Sequence, residues 1–219
     1  MSTLTPDTTG WTFYTAPGTC AQAVHIALHE AQAPFKLVQL DFTQQQQQSP
    51  EYLALNPKGR VPALATPQGV LTEVPALLLF VAQSHPQAGL APLDDAFALA
   101  RINELASYLA STVHVAHAHK RRGSRWADDA AAIEAMKAKV PQTMTACAQQ
   151  LEAQLAATAE QGPYVLGACY SVADAYLFTI SGWLAGDGVE VQAFPRLMAH
   201  HALIAQRPAT RRALEEAGG

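Results

Sequence analysis

Apolar and polar positions change rhythm once along this chain. From Trp11 to about residue 83 short runs alternate with breakers, among them Pro17, Gly18, Pro34, Pro57, Gly59, Pro62, Pro67 and Gly69. Trp11–Thr15 is aromatic and β-branched and stops at Ala16-Pro17-Gly18, which predicts a strand and a turn. Val24, Ala27, Leu28 and Ala31 then fall at i, i+3, i+4 and i+7, one face of a helix. Residues 35–40 read as a second strand, and 62–65 and 70–72 as two more around the turn Pro67-Gln68-Gly69. Residues 76–83 read as a helix with Leu77, Phe80 and Val81 inward. The expected order is β-α-β, an irregular segment, then β-β-α. Within that segment Gln44 to Gln48 is low in complexity and reads as a solvated surface helix or loop.

From about Asp94 the pattern is Ala-rich with a helical period. Ile102, Leu105, Leu109, Val113 and Ala116 form one stripe. Ile133, Met136, Val140, Met144, Cys147, Leu151 and Leu155 form another, with a kink expected at Pro141. A third helix is predicted from Ser171 and a shorter one from Pro195. Apolar stripes on four or more helices must be buried against one another, which predicts a bundle. Trp126, Tyr176 and Trp183 occupy plausible positions in its core. The fold class expected is therefore α/β plus all-α: a flexible extension at 1–10, a βαβ-ββα domain at 11–83, a Pro/Gly linker at 84–93 and an all-helical domain at 94–219.

Composition narrows the function. At 49% hydrophobic and 15% charged residues the chain is globular in type, and at 219 residues it can bury about 70% of its unfolded surface without disulfides or a structural metal. Fourteen Lys and Arg against eighteen Asp and Glu leave a net charge of −4, which gives no footprint for nucleic acid or an anionic membrane. The densest basic run is only Lys120-Arg121-Arg122. No stretch approaches the roughly 20 apolar residues of a membrane helix, and the first ten residues lack the basic region of a signal peptide. Cys20, Cys147 and Cys169 fall into neither a C-x-x-C nor a zinc spacing, so a reducing cytoplasm is the expected compartment.

Cys20 carries the most chemical information. It follows a strand and the Pro17-Gly18 turn and opens a helix, whose N-terminal amides and dipole favour thiolate over thiol. Ala23 stands where a second cysteine of a redox pair would be, so any chemistry is monothiol; position alone equally allows a small packing residue. Val61-Pro62 begins a strand after Asn56-Pro57-Lys58-Gly59-Arg60, and a proline there suits an edge or a cis bond presenting backbone to an extended ligand. Ser171 and Asp174 form a helix-capping pair with a structural role. His114 and His117 share a helix face, but His119 lies about 140° from His114, so no metal site is expected there.

Four motifs in order resemble the glutathione S-transferase superfamily, most closely its bacterial Beta class: Tyr14-Thr15-Ala16-Pro17-Gly18-Thr19-Cys20, Asn56-Pro57-Lys58-Gly59-Arg60-Val61-Pro62, Leu71-Thr72-Glu73 before a helix, and Ser171-Val172-Ala173-Asp174. The resemblance spans nearly the whole chain. It implies a thioredoxin-like N-terminal domain, a helical C-terminal domain, a homodimer, and glutathione as co-substrate at the domain junction. It implies that Cys20 touches or covalently pairs with the glutathione sulfur, and that Val61, beside a cis Pro62, pairs with the cysteinyl backbone. It also implies that Arg60 belongs to the glutathione-binding segment and that Glu73 and Val74 lie against the γ-glutamyl end. Thr19 takes the place of a hydroxyl that bonds the thiolate in related classes. His114 matches a histidine brought into the site from the first long bundle helix. Val74 stands where a Ser or Thr is common, and the glutamine run where a basic contact is common.

The function implied is conjugation of the glutathione thiolate to a small hydrophobic electrophile by a cytoplasmic enzyme. Two alternatives stay open: glutathione-dependent disulfide reduction or dehalogenation, and a non-catalytic binding or interaction module of the same fold.

Overall fold

The computed structural model describes residues 10–218; the extension expected at 1–10 lies, Gly10 apart, outside them. The chain forms two compact units, one running through Ala96 and resuming at Arg207, the other spanning Phe97–Gln206.

The first unit has a four-stranded sheet in the order β2-β1-β3-β4, with β1 at Trp11–Thr15, β2 at Phe35–Gln39, β3 at Ala63–Thr66 and β4 at Gly69–Thr72. β1 pairs parallel with β2, Phe13 opposite Leu37, and antiparallel with β3, Phe13 opposite Leu64. β3 and β4 are antiparallel. β1 is central and buried along four of its five residues, which is why it reads as a continuous apolar and β-branched run rather than an alternating one. β4 is the exposed edge. Helix α1 (Ala21–Glu30) crosses between β1 and β2, α2 (Pro50–Leu55) precedes β3, and α3 (Val74–Ser84) follows β4.

α2 is a helix where an irregular segment was expected. At six residues it is too short to show a period, but Ser49 caps it by accepting from the Tyr52 amide at 3.2 Å and Pro50 opens it. The glutamine run forms a single 3₁₀ turn at Gln46–Gln48 leading into this cap.

In the second unit α4 (Ala96–Tyr108) passes through a π-helical turn at Leu109–Val113 into α5 (His114–Arg122). The predicted stripe is therefore continuous in sequence but locally unwound just before His114. α6 (Ala130–Thr158) is capped by Asp129, which accepts from the Ala132 amide at 2.8 Å, and stays one helix through Pro141. α7 (Val172–Ser181) is buried along its whole length, the pattern of a helix enclosed by others. The Ser171 amide and hydroxyl donate to Asp174 Oδ2 at 2.8 and 3.0 Å, while the Val165 amide and His200 Nε2 meet Oδ1 at 2.8 and 2.9 Å. Asp174 thus ties the start of α7 to the preceding loop and to α8 (Pro195–Ala205).

The last helix is α9 (Pro208–Glu216), inside the span 94–219 expected to be all-helical. It belongs with the first unit. Thr210 and Ala213 are fully buried, and Arg207 reaches Glu30 at the end of α1 with a two-pronged ion pair at 2.5 and 2.9 Å.

Candidate functional site

β1 delivers the chain to Pro17-Gly18, and Gly18 at φ +69° makes the turn that starts α1. Cys20 is the cap residue of that helix and is buried. Its thiol lies 3.8 Å from the Val61 carbonyl oxygen, toward which it can donate. The helix start supplies partial positive charge at the sulfur. Thr19 donates its hydroxyl hydrogen to the Ala16 carbonyl at 2.7 Å. A hydroxyl has one hydrogen, so in this arrangement Thr19 spends it on closing the turn.

The Val61-Pro62 peptide is cis. The preceding carbonyl, that of Arg60, is held from two sides: Tyr52 Oη donates to it at 2.7 Å, and so does Asn56 Nδ2 at 2.7 Å. Tyr52 and Asn56 are buried, and burial pushes the Tyr52 phenol up to about 12, so it stays a neutral donor. Both come from or adjoin α2, which is how this short helix serves the site. The Arg60 side chain is exposed; its contribution on this face is its backbone. Gly59, at φ +58°, completes the turn, and a β-carbon there would stand 2.5 Å from Gln48 Nε2. The glutamine run therefore meets the motif through Gln48, whose Nε2 donates to the Gly59 carbonyl at 3.3 Å.

Glu73 adopts φ +73°, ψ +124°, a backbone conformation that L-residues rarely take, immediately before α3. Its exposed carboxylate pairs with Lys58 Nζ at 2.6 Å, and Lys58 also reaches Thr72 Oγ1 at 2.9 Å. The Leu77 amide is already bonded to the Glu73 carbonyl. Because Pro75 has no N–H, Val74 and Ala76 supply the N-terminal amides of α3 that an anion could use. Val74 itself is buried, so its side chain serves packing.

The structure thus brings Cys20, Val61 and Pro62 together, with Arg60 held behind them, and places Glu73 and Val74 where β4 passes into α3. His114 lies in the second unit at the junction of the π-helical turn and α5. It meets Trp183 edge-on at 5.1 Å, and His117 stacks on the same indole at 4.3 Å. His117 Nδ1 pairs with the buried Asp187 at 2.6 Å, where Lys120 also approaches to 3.5 Å. His119 meets Trp126 instead. Asp187 was not foreseen, since 70 residues separate it from His117 and no local pattern links them. Tyr52, Asn56 and Lys58 were also missed, although Ser49-Pro50-Glu51 signals the helix that positions the first two.

Two family models match this chain: the glutathione S-transferase N-terminal domain over residues 10–83 and the glutathione S-transferase C-terminal domain over residues 118–216. The chain belongs to the glutathione S-transferase family. It is 30% identical over 185 residues to glutathione S-transferase GST-4.5 of Xanthomonas campestris pv. campestris, covering 84% of this chain and 87% of that protein. A glutathione transferase homologue from Sulfitobacter, solved with bound glutathione, is 46% identical, with a TM-score of 0.89 and coverage of 95% of this chain and 98% of that one. The Beta-class enzyme of Sphingomonas chungbukensis is 33% identical, with a TM-score of 0.80 and coverage of 94% and 98%. The transferase is thus Beta-like, with a thioredoxin-like first unit and a helical second one, and glutathione is the family's co-substrate. Among the described residues no helix is long and apolar enough to cross a membrane.

Proposed function

We propose that this transferase conjugates glutathione to small hydrophobic electrophiles, with the glutathione sulfur activated beside Cys20. The observation that carries this reading is the Cys20 thiol at the head of α1, 3.8 Å from the Val61 carbonyl. An extended peptide pairing with the Val61 backbone would set its own cysteinyl sulfur next to that thiol. The Cys20 S–H and the dipole of α1 would then stabilise a neighbouring thiolate in a largely water-excluded corner. The γ-glutamyl carboxylate would take the amides of Val74 and Ala76, with Glu73 beside it. The glutathione thiolate would form a carbon–sulfur bond to the electrophile, displacing its leaving group or adding to an activated double bond. His114 is the candidate from the helical unit for hydrogen bonding or proton transfer.

A second reading, thiol–disulfide exchange through a mixed disulfide between Cys20 and glutathione, is favoured by the same buried thiol at a helix start. A trapped glutathionylated Cys20 that a thiol rapidly turns over would select it over conjugation. Both reactions suit a reducing cytoplasm. A homodimer is proposed on the exposed Val70 and Leu71 of the β4 edge and on Phe97, which is 78% exposed in the second unit.

Calorimetric titration of the reduced protein with glutathione tests the assignment. Binding in the micromolar to low-millimolar range, with conjugation of a model electrophile that falls in His114→Ala, supports it. No heat up to cellular glutathione concentrations sinks it and leaves the fold to another ligand.

A further inference from the structure

Away from the thiol site, α1 and α9 face each other across three potential metal donors. His25 and His29 stand at i and i+4 on α1, so their imidazoles share a face. Their Nε2 atoms both lie 2.9 Å from one atom, Glu216 Oε2 on α9. All three donor atoms fall within 4.8 Å of one another. We propose that His25, His29 and Glu216 form a binding site for a borderline divalent cation of the Zn²⁺ type, which clips the C-terminal helix onto α1.

The donor chemistry fits that class of ion. Two imidazole nitrogens and one carboxylate oxygen are a common three-ligand set for zinc, leaving a fourth position for water or an added ligand. Donors around a tetrahedral zinc ion stand about 3.3 Å apart. The His–Glu contacts need to open by only a few tenths of an ångström, and the imidazoles to draw together by small side-chain rotations. Each imidazole directs Nε2 at the carboxylate; binding requires the hydrogen to sit on Nδ1, which leaves the Nε2 lone pair for the ion.

The surroundings hold the ligands in place. His25 is 1% exposed, with Phe13 at 5.7 Å and Phe35 at 5.8 Å between ring centroids. Phe35 also meets His29 at 5.2 Å. Arg212 Nε donates to the other carboxylate oxygen, Glu216 Oε1, at 2.9 Å, and Gln39 Nε2 donates to the Glu216 backbone carbonyl. Arg212 orients the carboxylate while opposing a second positive charge, which sets the affinity below that of an unopposed site. A cleft of about 540 Å³, lined by His29, Gln32, Pro34, Phe35, Arg212 and Glu216 among others, gives an ion a path in and room at its fourth position.

The test is a Zn²⁺ titration of the chelator-stripped full chain, followed by calorimetry, with Co²⁺ absorption as a second readout. One ion per chain is expected, with a visible Co²⁺ band and none of the strong near-ultraviolet absorption of thiolate ligation. Changing a residue that only supports a ligand typically costs 10- to 100-fold in metal affinity, so loss of a ligand itself in His29→Ala or Glu216→Gln should cost at least about a hundredfold. His119→Ala, which changes a histidine outside the cluster, should bind as wild type does. Wild type should also melt at a higher temperature with Zn²⁺, an increment absent in Glu216→Gln. If His29→Ala does not fold, Glu216→Gln decides the question. No binding up to millimolar Zn²⁺, or equal binding by wild type and Glu216→Gln, overturns the proposal.

Discussion

The sulfur chemistry proposed for this site turns on Cys20, and its surroundings separate two roles that a single substitution can distinguish. Cys20 sits at a helix start against a carbonyl, so Cys20→Ala removes the only atom there that can form a mixed disulfide while leaving the Val61 backbone untouched. Incubation with glutathione disulfide and intact-mass measurement should show a glutathione adduct on residue 20 in wild type and none there in the variant. Glutathione affinity should persist in Cys20→Ala; its complete loss would place the binding geometry elsewhere. Val74 gives a two-sided case. Its buried side chain means that Val74→Ser should lower stability by about 1.5–3 kcal/mol. The new hydroxyl, at the start of α3 where a carboxylate would bind, should strengthen glutathione binding by about ten- to a hundredfold, as one hydrogen bond to a charged group is worth about 1.5–3 kcal/mol. Denaturant titration and calorimetry on the same samples read both changes. Lower stability with unchanged affinity would show that the γ-glutamyl end lies elsewhere.

Short elements position this site more than long ones do. The six residues of α2 supply Tyr52 and, just beyond their end, Asn56, and both donate to the Arg60 carbonyl behind Val61. Tyr52→Phe leaves Asn56 as the remaining donor, so it should cost about 0.5–1.5 kcal/mol of stability, and glutathione should bind more weakly because Val61 is less firmly placed. An unchanged glutathione affinity would mean that the Arg60 carbonyl needs one donor only. In the helical unit Asp174 accepts from four groups while fully buried. Asp174→Ala orphans His200 and the Ser171 amide together, and should destabilise by about 3–5 kcal/mol in chemical unfolding. The readable part of the chain was the part with period. β1, α1, the β3–β4 hairpin and α7 announced themselves through runs, stripes, turn residues and a cap. α2 was too short for a period, and the π-helical turn preserved the three-and-four spacing of the stripe it interrupts. Cys20, Val61 and Glu73 are singled out by motifs, whereas Asp187 and Lys58 make contacts with partners that no local spacing reveals.

Across the whole molecule, the chain returns at its end to where it began: 191 residues separate His25 from Glu216, yet they bond at 2.9 Å. No pattern in α9 alone foretells this, because its buried residues are only Thr210 and Ala213, and ion pairs from Arg207 to Glu30 and from the two histidines to Glu216 add a charged hold on α1. That hold should make stability depend on pH. Burial by itself would raise the Glu216 carboxyl, but hydrogen bonds from Arg212, His29 and His25 outweigh it and bring Glu216 down to about 2 from its ordinary 4.5. The unfolded chain therefore binds a proton between those values that the folded one refuses. Stability present above pH 4.5 is withdrawn as the pH falls toward 2. His25 acts in the same direction earlier. Burial chiefly lowers it from 6.5, so below pH 6.5 the unfolded imidazole takes up a proton first and folding begins to lose ground. Chelator-treated protein should thus lose stability in two stages on acidification, one starting near pH 6.5 and one below pH 4.5. Glu216→Gln should remove the lower stage, and it should deepen the upper one because His25 loses the carboxylate that favours its charged form. Hydrogen exchange of the α1 and α9 amides between pH 8 and pH 4 follows this locally, after correction for the intrinsic dependence of exchange on pH. Protection in α9 that is flat across the range in wild type would show that Glu216 and the two histidines do not hold the helix.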